Sequence, residues 1–184
     1  GDSGTTRFGA GIHWALRGLT NDEGEFEDKR FRSRPNFMYF TASAERLQKL
    51  PYELELLARF KGQVTKDPLI SNEQLSFGGY DSIRGYLESQ IFVDDGVDTT
   101  LELRSPSFAN AIWQELDEVR LLAFVDAATG RIQDPLPGQD GSFFIWSTGL
   151  GLKLKAFDSL NATFYWAYPL RDNGIIDAGN SRFH

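Results

Sequence analysis

Glu53-Leu54-Glu55-Leu56-Leu57-Ala58-Arg59-Phe60-Lys61 is the stretch whose reading decides the fold. With its neighbours it sets Tyr52, Leu54, Leu56, Ala58 and Phe60 against Glu53, Glu55, Leu57, Arg59, Lys61 and Gln63. Successive side chains of a strand leave opposite faces, so alternation at period two predicts a strand with one apolar and one polar side. A helix would instead group its apolar residues three and four apart. The strict pleat predicts that Tyr52, Leu54, Leu56, Ala58 and Phe60 point outward while Glu53, Arg59 and Lys61 point the other way.

The same period recurs on both sides. Residues 7–17 place Phe8, Ala10, Ile12, Trp14 and Leu16 on one face, with Gly9, Gly11 and His13 on the other. Residues 36–46 oppose Met38, Phe40, Ala42 and Ala44 to Tyr39, Thr41, Ser43 and Glu45. Downstream come a short strand around Leu101 to Arg104, then Val119 to Ala127, with Leu122, Phe124 and Asp126 on its polar side. Two more follow, Trp146 to Lys155 and Leu160 to Tyr168, and Ser181 to His184 begins another. The count is about seven strands and a partial eighth, all β.

The connections alternate as well. Those near residues 47–51 and 157–159 are tight, with 105–117 somewhat longer, whereas those near 18–35, 65–98, 128–141 and 171–180 are long and polar. Short turns at one end and long loops at the other mark an antiparallel transmembrane barrel, in which lipid-facing and lumen-facing residues alternate. Trp146, Trp166 and Tyr168 fall at strand ends on the long-loop side, where an interfacial aromatic girdle belongs. A soluble sandwich shows the same alternation but not the same asymmetry of connections. An open barrel wall exposes unpaired backbone groups in lipid, so further strands are expected beyond Gly1 and His184. The start at Gly1-Asp2-Ser3 carries no basic or apolar leader, so any signal peptide is expected to lie outside this piece.

Composition narrows the function. No apolar run reaches the length of about 18 residues that a membrane helix needs. The formal net charge of −7 argues against nucleic acid or anionic lipid as a partner, with much of the acidity in residues 21–28. There is no cysteine, and the only histidines are His13 and His184, so no disulfide, thiolate site, histidine triad or His-rich metal site is expected. Glu53 and Glu55 share a face but sit among lumen charges, which disfavours catalysis. Asp94-Asp95-Gly96-Val97-Asp98 lacks the spacing of a calcium loop and reads as a turn. Gly149-Leu150-Gly151 lies inside a strand, where missing side chains let another segment pack closely. The expectation is no enzyme, no cofactor and no metal.

The long connection at residues 65–98 is different. Gln74-Leu75-Ser76-Phe77-Gly78-Gly79-Tyr80-Asp81-Ser82-Ile83-Arg84-Gly85-Tyr86-Leu87-Glu88 mixes permissive glycines with one arginine among apolar residues. Loops longer than about 12 to 15 residues usually have a function of their own. If this one folds into the lumen, Arg84 requires a carboxylate, and the period-two count offers Glu102 and Asp126.

This run resembles the lumen-inserted loop of the two-partner secretion transporters, the haemolysin secretion and activation proteins called TpsB. Their loop reads approximately LGGxxSVRGYxE, matched by Gly78, Gly79, Ser82, Arg84, Gly85 and Tyr86, with Ile83 in place of the common Val. Leu101-Glu102-Leu103-Arg104 is similar to the family's next strand. Phe124-Val125-Asp126-Ala127-Ala128 is similar to its FxDxG, with Ala128 where Gly is usual. Ala167-Tyr168-Pro169-Leu170 is similar to the penultimate strand.

The resemblance implies that residues 1–184 are the carboxy-terminal part of one outer-membrane barrel of about sixteen strands, following periplasmic POTRA domains absent from this chain. It implies a bacterial outer-membrane translocator that exports an unfolded, TpsA-like exoprotein, meeting lipid and, during biogenesis, the barrel assembly machinery. It also implies that Arg84 pairs with Asp126 near Phe124 to hold the loop. Two alternatives stand: an assembly factor of the same superfamily, and a passive porin or receptor.

Overall fold

The computed structural model describes residues 3–15, 36–113, 115–157, 159–174 and 176–184. The acidic stretch at 21–28, nearly all of the connection around it, and Leu16 and Arg17 at the expected end of the first strand lie outside the described residues.

Ten strands form among the described residues: β1 (Gly4–Ala15), β2 (Phe37–Lys49), β3 (Glu55–Thr65), β4 (Leu75–Phe77), β5 (Ile91–Val93), β6 (Asp95–Arg104), β7 (Leu116–Arg131), β8 (Ser142–Ala156), β9 (Leu160–Pro169) and β10 (Arg182–Phe183). Eight make one antiparallel sheet in the order β1-β2-β3-β6-β7-β8-β9-β10, open at β1 and β10, while β4 and β5 pair separately within the long connection. The molecule is an all-β antiparallel sheet of the kind that walls a barrel. Among the described residues no helix is long and apolar enough to cross a membrane. A short α-helix, α1 (Ala109–Ile112), lies in the β6–β7 connection.

Parity carries from strand to strand, the β7–β8 register slipping at Leu116/Glu118. Arg7 pairs with Glu45, Glu45 with Arg59, Arg59 with Thr100, Thr100 with Asp126 and Asp126 with Ser147, a single row on one face. On the opposite face Phe8, Ile12, Trp14, Phe60, Leu101, Leu121, Val125, Leu150 and Phe164 are all exposed. Phe8 is 83% exposed. An apolar surface spread over so many strands exceeds what a soluble monomer ordinarily shows and fits contact with lipid. Exposed aromatics gather at the strand ends, with Trp14, Phe144, Trp146, Trp166 and Tyr168 beside the long connections and Tyr52, Trp113 and Phe157 at the other end.

Three local expectations are corrected. Tyr52 and Glu53 are not in a strand: Pro51–Glu53 is a 3-10 turn in which Tyr52 has φ 62° and Glu53 φ 57°, so their side chains leave the pleat. The chain must reverse there between β2 and β3, and the turns favoured between twisted antiparallel strands place residues in left-handed backbone. The strand expected at Leu101 to Arg104 begins six residues earlier, at Asp95, because it pairs with β3 and β7 along that added length. Val119 has the outward parity but is only 2% exposed; Ser107 and Phe108, in the connection that holds α1, hydrogen-bond to its backbone.

Candidate functional site: a docked loop and its carboxylate seat

The chain between β3 and β6 turns back onto the inner face of the sheet. Its base is pinned at the buried Asp94, whose Oδ1 accepts from the Leu69 amide and the Gln74 side chain, both at 3.0 Å. Its Oδ2 accepts from the Gln133 amide at 2.6 Å. The β4–β5 hairpin extends from this base, and the turn at its tip holds the residues of the motif.

Glycine is required at the tip. Gly78 and Gly79 have φ 107° and 96°, and a Cβ at either would strike the Leu87 carbonyl or the Glu88 carboxylate. Gly85, at φ 93°, lies against Ala167 and Pro169 of β9. The apolar residues between them drive docking. Ile83 and Tyr86 are fully buried in a cluster with Phe77, Ile91, Val93, Ala128, Ile145 and Ile176. Burying side chains of this size stabilises by about 1.5 to 3 kcal/mol each. The methyl of Ala128, at the position where the motif carries Gly, is one of the cluster's contacts. The Tyr86 hydroxyl donates to the backbone carbonyl of Arg171 at 2.7 Å and lies 3.1 Å from that of Trp146.

Docking of Ile83 and Tyr86 carries Arg84 into the wall. Its Nε donates to Asp126 Oδ2 at 2.7 Å, its Nη2 to Asp126 Oδ1 at 2.8 Å, and its own amide to Oδ2 at 3.1 Å. Its Nη1 donates to Glu102 Oε2 at 2.6 Å. Arg84, Glu102 and Asp126 are each no more than 1% exposed. Burial opposes the charge on Arg84, but the hydrogen-bonded carboxylates of Asp126 and Glu102 outweigh it and hold its pKa above the ordinary arginine value. The guanidinium carbon lies 3.5 Å from the Phe124 ring centroid and 4.4 Å from that of Tyr165.

Of the residues singled out in the sequence, the structure brings together Gly78, Gly79, Ser82, Ile83, Arg84, Gly85 and Tyr86 on the loop with Glu102, Phe124 and Asp126 on the wall. Four wall groups were not singled out. Tyr165 donates to Glu102 Oε2 at 3.0 Å, and Arg104 donates to Glu102 Oε1 at 2.9 Å. Asp98, 4% exposed, lies on the same face of β6 as Glu102. His184, dismissed as a ligand or catalyst, has its Nε2 accepting from the Gly85 amide at 2.9 Å. Period two marked the parity of Tyr165 but nothing about its reach. Lys61, on the inner face of β3, reaches the Asp81 carbonyl at 3.5 Å.

The arrangement holds a loop against the wall. Asp126 and Glu102 are both engaged by Arg84, and among the described residues no group of three His, Asp or Glu side chains is placed to hold a metal ion.

A family model described as haemolysin secretion/activation protein ShlB/FhaC/HecB matches residues 2–154. No curated protein matches the chain. Members of that family are outer-membrane transporters of two-partner secretion.

Proposed function

We propose an export function for this chain, which belongs to the haemolysin secretion/activation (ShlB/FhaC/HecB) family: it is the pore-forming part of an outer-membrane translocator through which an unfolded partner exoprotein passes. The observation that supports this reading best is the seating of Arg84 on Asp126 and Glu102, at the centre of a loop packed against the inner face of the sheet. A passive pore requires only a constriction, and a mobile one suffices. A desolvated arginine held by two carboxylates instead defines one docked state, because a single broken contact leaves a buried charge unpaired. In the proposed mechanism that state sets the resting pore, and residues 78–86 shift when the exoprotein engages. The exoprotein and outer-membrane lipid are the partners; no cofactor takes part.

The full-length protein, expressed in a host lacking it together with its cognate exoprotein, should release that exoprotein into the medium. Solute conductance in bilayers without export would favour a porin. Loss of unrelated barrels from the outer membrane on depletion, with exoprotein release intact by another route, would favour an assembly factor.

A further inference from the structure

Two glycines and one tyrosine beside the site remain without an assigned role. Gly149 and Gly151 sit at successive inner-face positions of β8, where glycine ordinarily weakens a strand. Gly149 is paired with Phe124 of β7, and Gly151 with Tyr165 of β9. A Cβ on Gly149 would lie 2.2 Å from the Trp166 carbonyl oxygen and 2.6 Å from the Phe124 ring, and one on Gly151 would lie 2.6 Å from the Tyr165 ring and 3.0 Å from the Phe164 carbonyl oxygen. Carbon atoms in comfortable contact are about 3.5 to 4.0 Å apart, so both rings occupy space that any other residue in β8 would fill. From opposite neighbouring strands they lean over the glycines and meet edge to face, centroids 5.5 Å apart at 89°.

Arg84 lies in the corner those rings make. Phe124 is part of the motif that carries Asp126. Tyr165 is not, yet it does more: its ring faces the guanidinium, and its hydroxyl donates to Glu102 Oε2, the same oxygen that accepts from Arg84 Nη1. With Arg104 on Oε1, the Glu102 carboxylate is held from both sides in the orientation that meets Arg84. Tyr165 also stacks at a tilt on Tyr80 of the loop, centroids 5.6 Å apart.

We propose that Tyr165 is a positioning residue that sets the stability of the docked loop, acting on Arg84 directly and through Glu102, and that Gly149 and Gly151 are the slot that admits its ring and that of Phe124. The inference deepens the export reading and rests on it for its biological meaning, since a loop that docks more weakly opens the pore more readily. Its physical content is independent of export.

The test reads docking itself. Ser82 lies two residues before Arg84, and its hydroxyl is shielded and without a hydrogen-bond partner. Ser82→Cys in a full-length protein otherwise free of cysteine therefore makes a near-isosteric reporter. Labelling by a membrane-impermeant maleimide is followed in outer membranes, with heat-modifiable gel mobility checking that the barrel is assembled. Loss of the hydroxyl in Tyr165→Phe should speed labelling about fivefold, and loss of ring and hydroxyl in Tyr165→Leu by more than about tenfold. Gly151→Ala should speed it in the parent but add little in the Tyr165→Leu background, because the ring it displaces is already gone. Unchanged labelling in assembled Tyr165→Leu barrels overturns the proposal. If that variant does not assemble, unchanged labelling in Tyr165→Phe overturns it equally. Faster labelling in a protein whose parent exports nothing would leave the seat standing and remove the export reading.

Discussion

Arg84 meets Asp126 as a fork on a fork: Nε to Oδ2 at 2.7 Å and Nη2 to Oδ1 at 2.8 Å, with both residues no more than 1% exposed. The two are 42 positions apart and come from a loop and a strand. A desolvated pair of this kind contributes little net stability over apolar packing, but removing one partner typically costs about 3 to 5 kcal/mol. It is therefore better suited to defining a state than to holding the barrel together.

Arg84→Ala and Asp126→Ala should each reduce export strongly while leaving assembled barrel in the membrane, and the double substitution should be no worse than either single one. Exoprotein in the medium, divided by folded barrel, is the measurement. Export at wild-type levels by Arg84→Ala would dispose of the docked-state mechanism.

Arg84→Lys should resemble Arg84→Ala more than the parent. A lysine ammonium is a point charge and cannot match Asp126 bidentately while also reaching Glu102. Recovery of more than about half the export by lysine would show that charge alone suffices, and that the fork geometry is incidental.

His184→Phe should loosen the loop only modestly. One neutral hydrogen bond to the Gly85 amide is lost, worth about 0.5 to 1.5 kcal/mol. The Ser82→Cys reporter should label faster by a small factor, well short of the effect of Asp126→Ala. Equal effects from the two would move the centre of the site toward the last strand.

The two faces should respond oppositely to charge. Leu121, 57% exposed on the apolar face, changed to Arg should cost about 2 to 4 kcal/mol if it lies near the membrane midplane. Ser43, exposed on the polar face beside Lys61, should accept Lys at less than about 1 kcal/mol. Folding titrations into lipid vesicles compare them. Similar losses for both would contradict the assignment of lipid and lumen faces.

Glu53→Gly should stabilise the β2–β3 turn. Left-handed backbone at a residue other than glycine is strained by about 1 kcal/mol or more, and glycine removes that strain at some cost in chain entropy. A raised temperature for the loss of heat-modifiable mobility is the expected result. A lowered one would mean that the glutamate side chain does something in the turn that its backbone does not reveal.

The parity of nearly every strand was legible in the residues alone. Ala58 and Phe60 against Arg59 and Lys61 suffice for β3, because slipping the register by one residue would turn the whole apolar set to the wrong side. Arg84, Asp126 and Glu102 were legible as a group for the same reason: an apolar-flanked arginine needs a carboxylate, and only certain parities face the lumen. The turn at Tyr52 and Glu53 was not, since those residues continue the alternation and only the need to reverse the chain removes them from it. Nor was the β4–β5 hairpin, whose three-residue strands are too short to show a period.

Tyr165 marks the boundary between the two kinds of information. In the sequence it is one polar-face residue among Asn161, Thr163 and Ala167, and Gly149 and Gly151 are two gaps in another strand. Local pattern determined which face each would occupy, because the pleat is a property of neighbouring residues along one chain segment. Which side chains meet across that face was decided only by the register of β7, β8 and β9 and by the path of the loop, since a ring can lean over a glycine and onto a buried arginine only after distant segments have been brought into contact.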